Sequence, residues 1–103
     1  MSVREEIRQL VSLGPLPASA SADESRLQTY EDLLKQISRP VTDEEARALI
    51  RLFGPDDCFG LAWTVLHLIE SAPNWPIKEA IPPGSRNEWI QRLRERAEQG
   101  GRL

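Results

Sequence analysis

GPDDCFGLAWTVLHLIESAPNWP, residues 54–76, opens with paired aspartates, runs through twelve positions free of Asp, Glu, Lys and Arg, and closes on a tryptophan between prolines. Whether this stretch is a catalytic centre, a binding surface or the middle of a core decides how the rest of the chain folds. Asp56 or Asp57 stands where a helix cap is needed, since an aspartate there accepts a backbone amide hydrogen bond and faces the positive end of the helix dipole. A helix of about residues 57–72 follows, stopped by Pro73. At about 100° per residue, Leu61, Val65, Leu68, Ala72, Cys58, Ile69, Ala62, Leu66, Phe59 and Trp63 fill a continuous arc of roughly 220°. That is much wider than the stripe of a surface helix, so the segment is expected at the centre, covered on several sides.

The remaining seam holds Gly60, Thr64, His67 and Ser71 at i, i+4, i+7 and i+11. Such a seam either lets another helix approach closely or lines a shallow groove, and packing is the commoner use.

Outward from this helix, the S/T-x-x-E spacing of a capping box recurs at Ser2–Glu5, Ser21–Glu24, Thr42–Glu45 and Ser85–Glu88. It predicts helices over about 3–13, 23–38, 42–53 and 86–99. Val41 precedes Thr42 and can staple to Ala46, while Asp43, Glu44 and Glu45 suit the dipole. Gly54 is expected to end this helix in a left-handed conformation before Pro55. Leu27, Tyr30, Leu33, Leu34 and Ile37 share one face of the second helix; Trp89, Ile90, Leu93 and Ala97 share one face of the last, which ends at Gly100-Gly101. No stretch alternates apolar and polar residues as a half-exposed strand would. Residues 14–22, GPLPASASA, read as a linker after an N-terminal helix that is free to pack loosely or to swap onto a second copy. The expected fold is all-α: one domain over residues 1–103, a compact bundle of about five helices, with the 42–72 hairpin as its nucleus.

The pattern EEARALIRLFGPDDCFGLAWTVLHLIE, residues 44–70, resembles the antiparallel hairpin of HEAT-type helical repeats in its apolar spacing and its Asp-containing turn. The arginine typical of the second helix of a HEAT unit is absent, and no second copy recurs at a fixed period. The stretch is also similar to small uncharacterised bacterial all-α proteins sharing a GPDDCFGLAW-like block, a likeness that implies no activity. Immunity proteins, which neutralise a partner toxin, are among proteins of this size and class.

At 103 residues and 40% apolar, the chain suits one core, and its 28% of charged residues argues against disorder throughout. Net charge is −3, divided as eleven acids against seven bases over residues 1–57 and five against six over 58–103. Arg86, Arg92, Arg94, Arg96 and Arg102 alternate with Glu88, Glu95 and Glu98, too mixed for a nucleic-acid footprint. The N-terminus lacks the apolar run of a secretory signal, and no uncharged stretch is long enough for a bilayer. A cytoplasmic protein without membrane or nucleic-acid partners is expected.

One cysteine excludes an internal disulfide, and one cysteine with one histidine excludes a closed Cys/His zinc site. On a common helix, Cys58 and His67 would stand about 13.5 Å and about half a turn apart, where a thiol–imidazole dyad needs about 3 Å. Cys58 reads as an inert buried thiol opposed by Asp56 and Asp57, and His67 as a hydrogen-bonded residue at the border of the core. Glu70 and His67 reverse the Glu-x-x-His order of di-iron bundles. No phosphate loop, nucleophile elbow, H-E-x-x-H or C-x-x-C occurs. Catalytic, cofactor-binding and metal-ligating residues are therefore not assigned.

Trp63 and Trp89 are expected in the core. Trp75 either plugs the base of the core, the favoured reading, or projects as an anchor. The function that follows is non-enzymatic protein–protein interaction, of an immunity or adaptor type. An acidic face of Glu31, Asp32, Asp43, Glu44 and Glu45, with Trp75, would meet a basic partner. The alternatives are a small-molecule or enzymatic pocket around Trp63, Thr64, His67 and Ser71, and a homodimer paired through the N-terminal helix.

Overall fold

The computed structural model describes residues 3–75, 81 and 84–99. Ser2, residues 76–80 and Gly100-Gly101 lie outside them. Five α-helices form in order: α1 Glu5–Leu13, α2 Glu24–Lys35, α3 Asp43–Ile50, α4 Leu61–Glu70 and α5 Glu88–Gln99, with a short 3-10 turn at Ser19–Ser21. No strand occurs among the described residues. The all-α bundle expected from the sequence is the observed fold.

The helix starts show how local chemistry selects among competing caps. At α3 the capping box is complete: Thr42 Oγ1 accepts the Glu45 amide at 3.1 Å, and Glu45 Oε1 accepts the Thr42 amide at 2.9 Å. At α2 the cap is Asp23 rather than Ser21, its carboxylate accepting the Arg26 amide at 3.2 Å. At α5 it is Asn87 rather than Ser85, with Oδ1 accepting the amides of Trp89 at 2.8 Å and Ile90 at 3.2 Å. In both cases an Asx residue closer to the apolar run takes the role. α1 begins after Arg4, which provides no side-chain cap.

α4 starts at Leu61, not near residue 57. Cys58 and Phe59 have φ of +48° and +55° and Gly60 has +89°, and consecutive left-handed residues cannot continue a right-handed helix. Asp56 closes this turn instead of capping a helix, accepting the Cys58 amide at 2.9 Å and the Ser19 amide at 3.0 Å. Even shortened, α4 is the centre of the molecule: Ala62, Val65, Leu66, Leu68 and Ile69 are buried. It packs against α2, α3 and α5, with its most extensive contact against α3.

α1 is integral to the same core rather than loosely attached, since Ile7 and Leu10 are fully buried against α2 and α3. The 14–22 connector is pinned along its length. Tyr30 Oη donates to Gly14 O at 2.8 Å, the buried Leu16 donates its amide to Leu52 O at 2.9 Å, and Ser19 binds Asp56. Gly54 is required by this docking and not by a left-handed φ: a Cβ there would lie 1.9 Å from Leu16 O. The Cα radius of gyration, 13.0 Å, is that of a compact domain of about 100 residues. Among the described residues, no helix is long and apolar enough to cross a membrane.

Candidate functional site

The turn before α4 divides two adjacent side chains. Cys58 goes inward and is fully buried; burial pushes its thiol pKa up, and the charges of Asp56 and Asp57 add to the effect. Phe59 goes outward and is 68% exposed, the most exposed large apolar side chain described. Left-handed backbone at a non-glycine residue costs on the order of 1–3 kcal/mol and persists where the surroundings hold it. Here the holding groups are the Asp56 carboxylate on the Cys58 amide and the Asp57 carbonyl, which accepts the amides of Gly60 and Ala62 at 3.0 and 3.1 Å. The strained turn therefore fixes an aromatic ring in water, where burial would otherwise stabilise it by roughly 1.5–3 kcal/mol.

Beside that ring is a cleft of about 180 Å³ lined by Leu27 and Glu31 of α2, Phe59 and Leu61. Glu24, Leu27 and Glu31 share one face of α2, because residues three and four apart are neighbours on a helix. The exposed Asp57 precedes Phe59 by two positions. Glu31 pairs with Lys35 at 3.5 Å, but the two side chains are 46% and 69% exposed, a surface pair worth at most about 1 kcal/mol. A cleft of mixed character results, apolar at Leu27, Phe59 and Leu61 and acidic at Glu31.

A second aromatic feature lies between α4 and α5. Trp63 is 39% exposed, not enclosed in the core as expected, whereas Trp89 is buried. The two rings meet edge-on at 5.0 Å, Phe53 stacks on Trp89 at 6.1 Å, and His67 lies 6.1 Å from Trp63. The Arg92 guanidinium sits 5.1 Å from the Trp63 centroid and 4.4 Å from that of Trp89. This cation–π contact lets Trp63 stay at the rim of the core, covered by an arginine. Trp89 Nε1 is buried and has no acceptor among the described residues.

The acidic residues singled out in the sequence do not form one surface. Glu45 is 1% exposed, bound by Arg4 Nε at 2.8 Å, Arg4 Nη2 at 3.0 Å and the Arg4 and Thr42 amides at 2.9 Å each. Burial alone would raise its pKa; the Arg4 guanidinium and the two amides outweigh burial and hold it at about 2. Glu45 thus joins α1 to α3 and is withdrawn from any partner. Asp43 accepts the Asn74 amide at 3.1 Å and the Asn74 side-chain amide at 2.6 Å. Asp32 and Glu44 are exposed, Asp32 accepting from Gln28 at 2.8 Å, and Glu31 edges the cleft. Trp75 is half-buried and packs on the core.

Along the α4 seam, Thr64 and His67 are exposed, so they do not provide the close helix contact that the spacing suggested. Gly60 is the left-handed N-cap of α4, and Ser71 Oγ accepts the Val41 amide at 3.1 Å while donating to Leu68 O at 2.6 Å. Cys58 lies in the turn, so helical rise no longer separates it from His67; the thiol is buried and the imidazole faces solvent. Glu70 pairs with Arg96, Nη2 to Oε1, at 3.0 Å. Among the described residues, no group of three His, Cys, Asp or Glu side chains is placed to hold a metal ion.

No known protein family, curated protein or solved structure matches the chain. The cleft was not legible in the sequence, where Phe59 fell into the apolar arc of a helix begun too early. The available signal was the run Asp56-Asp57 followed by Gly60: a glycine three residues past the aspartates marks a turn as readily as a first helical turn.

Proposed function

We propose that the protein is a cytoplasmic, non-enzymatic interaction module that binds a basic protein partner through the Phe59 cleft and the acidic edge of α2. One observation carries this reading: Phe59 is held 68% exposed by a left-handed backbone beside the Leu27–Leu61 cleft. A fixed, solvent-facing aromatic beside a concave, partly apolar surface has the character of an interface anchor, since binding energy concentrates in such residues. Glu31 and the exposed Asp32 and Asp57 place negative charge nearby, which suits a basic partner. An adaptor or immunity-type role fits this arrangement.

The test is affinity capture from the native host with the wild-type chain and Phe59→Ala in parallel, followed by mass spectrometry. A protein retained by the wild type, released by salt and lost with Phe59→Ala is the expected result. Equal retention by both chains, or recovery of a small molecule at the Trp63–His67 face with no protein, would overturn the proposal.

A further inference from the structure

We infer that the cleft receives a short amphipathic segment carrying one bulky apolar side chain and a Lys or Arg about one helical turn from it. This rests on the interaction reading above and names the partner's chemistry. A cavity of about 150 Å³ accepts benzene, so the cleft of about 180 Å³ admits one Leu or Phe side chain between Leu27 and Leu61. The Phe59 ring, one wall of the cleft and mostly exposed, gains an apolar neighbour when that side chain enters. Its remaining face is open to the stem and head of a cation, in the geometry of a cation–π contact.

Charge decides the occupant. Glu31 lies in the cleft wall, Glu24 lies on the same face of α2, and exposed Asp57 stands two positions before Phe59. Lys35, bound to Glu31, is the counter-charge, and as an exposed pair it is exchangeable for a partner's cation at small cost. A second copy would bring Glu24, Glu31 and Asp57 against themselves on a chain of net charge −3. A segment bearing Lys or Arg meets the same groups with favourable sign, which steers encounter and selects against acidic partners.

The experiment is a titration of the isotope-labelled full chain, followed by amide NMR shifts, with two amphipathic peptides of equal length, one built of Leu and Lys and one of Leu and Glu. The Lys peptide is expected to shift the amides of Leu27, Glu31, Phe59 and Leu61. Its affinity should fall about tenfold or more in Phe59→Ala, fall severalfold in Glu31→Gln, and weaken with added salt. Circular dichroism of both variants, altered at exposed or edge positions, checks that they fold. Equal binding of the Glu peptide, shifts centred elsewhere, or unchanged affinity in Phe59→Ala would each overturn the inference. So would concentration-dependent shifts at the cleft without peptide, which would make a second copy the occupant. Phe59-dependent capture of a host protein alongside failure of the Lys peptide would refute this partner chemistry and leave the interaction reading standing.

Discussion

Replacing Glu45 by Gln removes one charge from the pair that fastens α1 to α3 while keeping the size of the side chain. In the folded protein the carboxyl pKa is held at about 2, against an ordinary value of 4.5. At 1.36 kcal/mol per tenfold change in proton affinity, this difference corresponds to about 3 kcal/mol of stability. The sign follows from the depressed value: the contribution is complete above the unfolded pKa near 4.5 and is lost as pH falls towards 2. Breaking a buried pair leaves the partner charge uncompensated, at about 3–5 kcal/mol. Arg4 retains 29% of its side-chain exposure and can be rehydrated, which keeps the loss near the lower end of that range. Glu45→Gln is therefore expected to lose about 3 kcal/mol at pH 7, a melting shift of roughly 12–24 °C for a domain of this size. Urea unfolding of both chains from pH 7 to pH 2 tests it, and the two should converge below pH 4.5. A gap that is absent at pH 7, or that stays constant down to pH 2, would refute the role assigned to the pair.

Gly54→Ala places a methyl group 1.9 Å from the Leu16 carbonyl, so the connector must shift; a loss of about 3 kcal/mol or more in urea unfolding is expected. Leu66→Ala empties a fully buried site on α4 and should cost ~2–5 kcal/mol. His67→Ala, on the exposed side of the same helix, should melt within a few degrees of wild type; equal damage from the two would place His67 in the core. Phe59→Gly removes a mostly exposed ring and relieves a left-handed φ, so its unfolding free energy should stay within about 1 kcal/mol of wild type. A loss above that would make Phe59 a folding residue.

The five helices were readable because apolar residues recur at helical spacing and because Thr42 and Glu45 form a complete capping box. Boundaries were less readable, since Ser21 and Ser85 matched the box spacing while Asp23 and Asn87 stood closer to the helix and took the amides. Residues 14–22 looked like a linker because composition reports backbone freedom, not the carbonyls and amides that Tyr30, Leu52 and Asp56 supply from elsewhere in the chain. Glu45 looked like part of an acidic face because no local pattern shows that Arg4, forty-one positions away, reaches it. The cleft failed for the same reason in reverse. The left-handed Cys58 and Phe59 are signalled only indirectly, by Gly60 after the paired aspartates, and a helix read through them puts Phe59 on the buried side of α4.

Phe59→p-benzoylphenylalanine, produced and irradiated in the native host, tests the central claim most directly, with the same replacement at exposed His67 as the control. A discrete covalent adduct with a basic protein from position 59, and none from position 67, is the predicted result. An adduct from 67 and none from 59 would place the contact surface at the exposed His67 of α4 instead of the cleft and contradict the account.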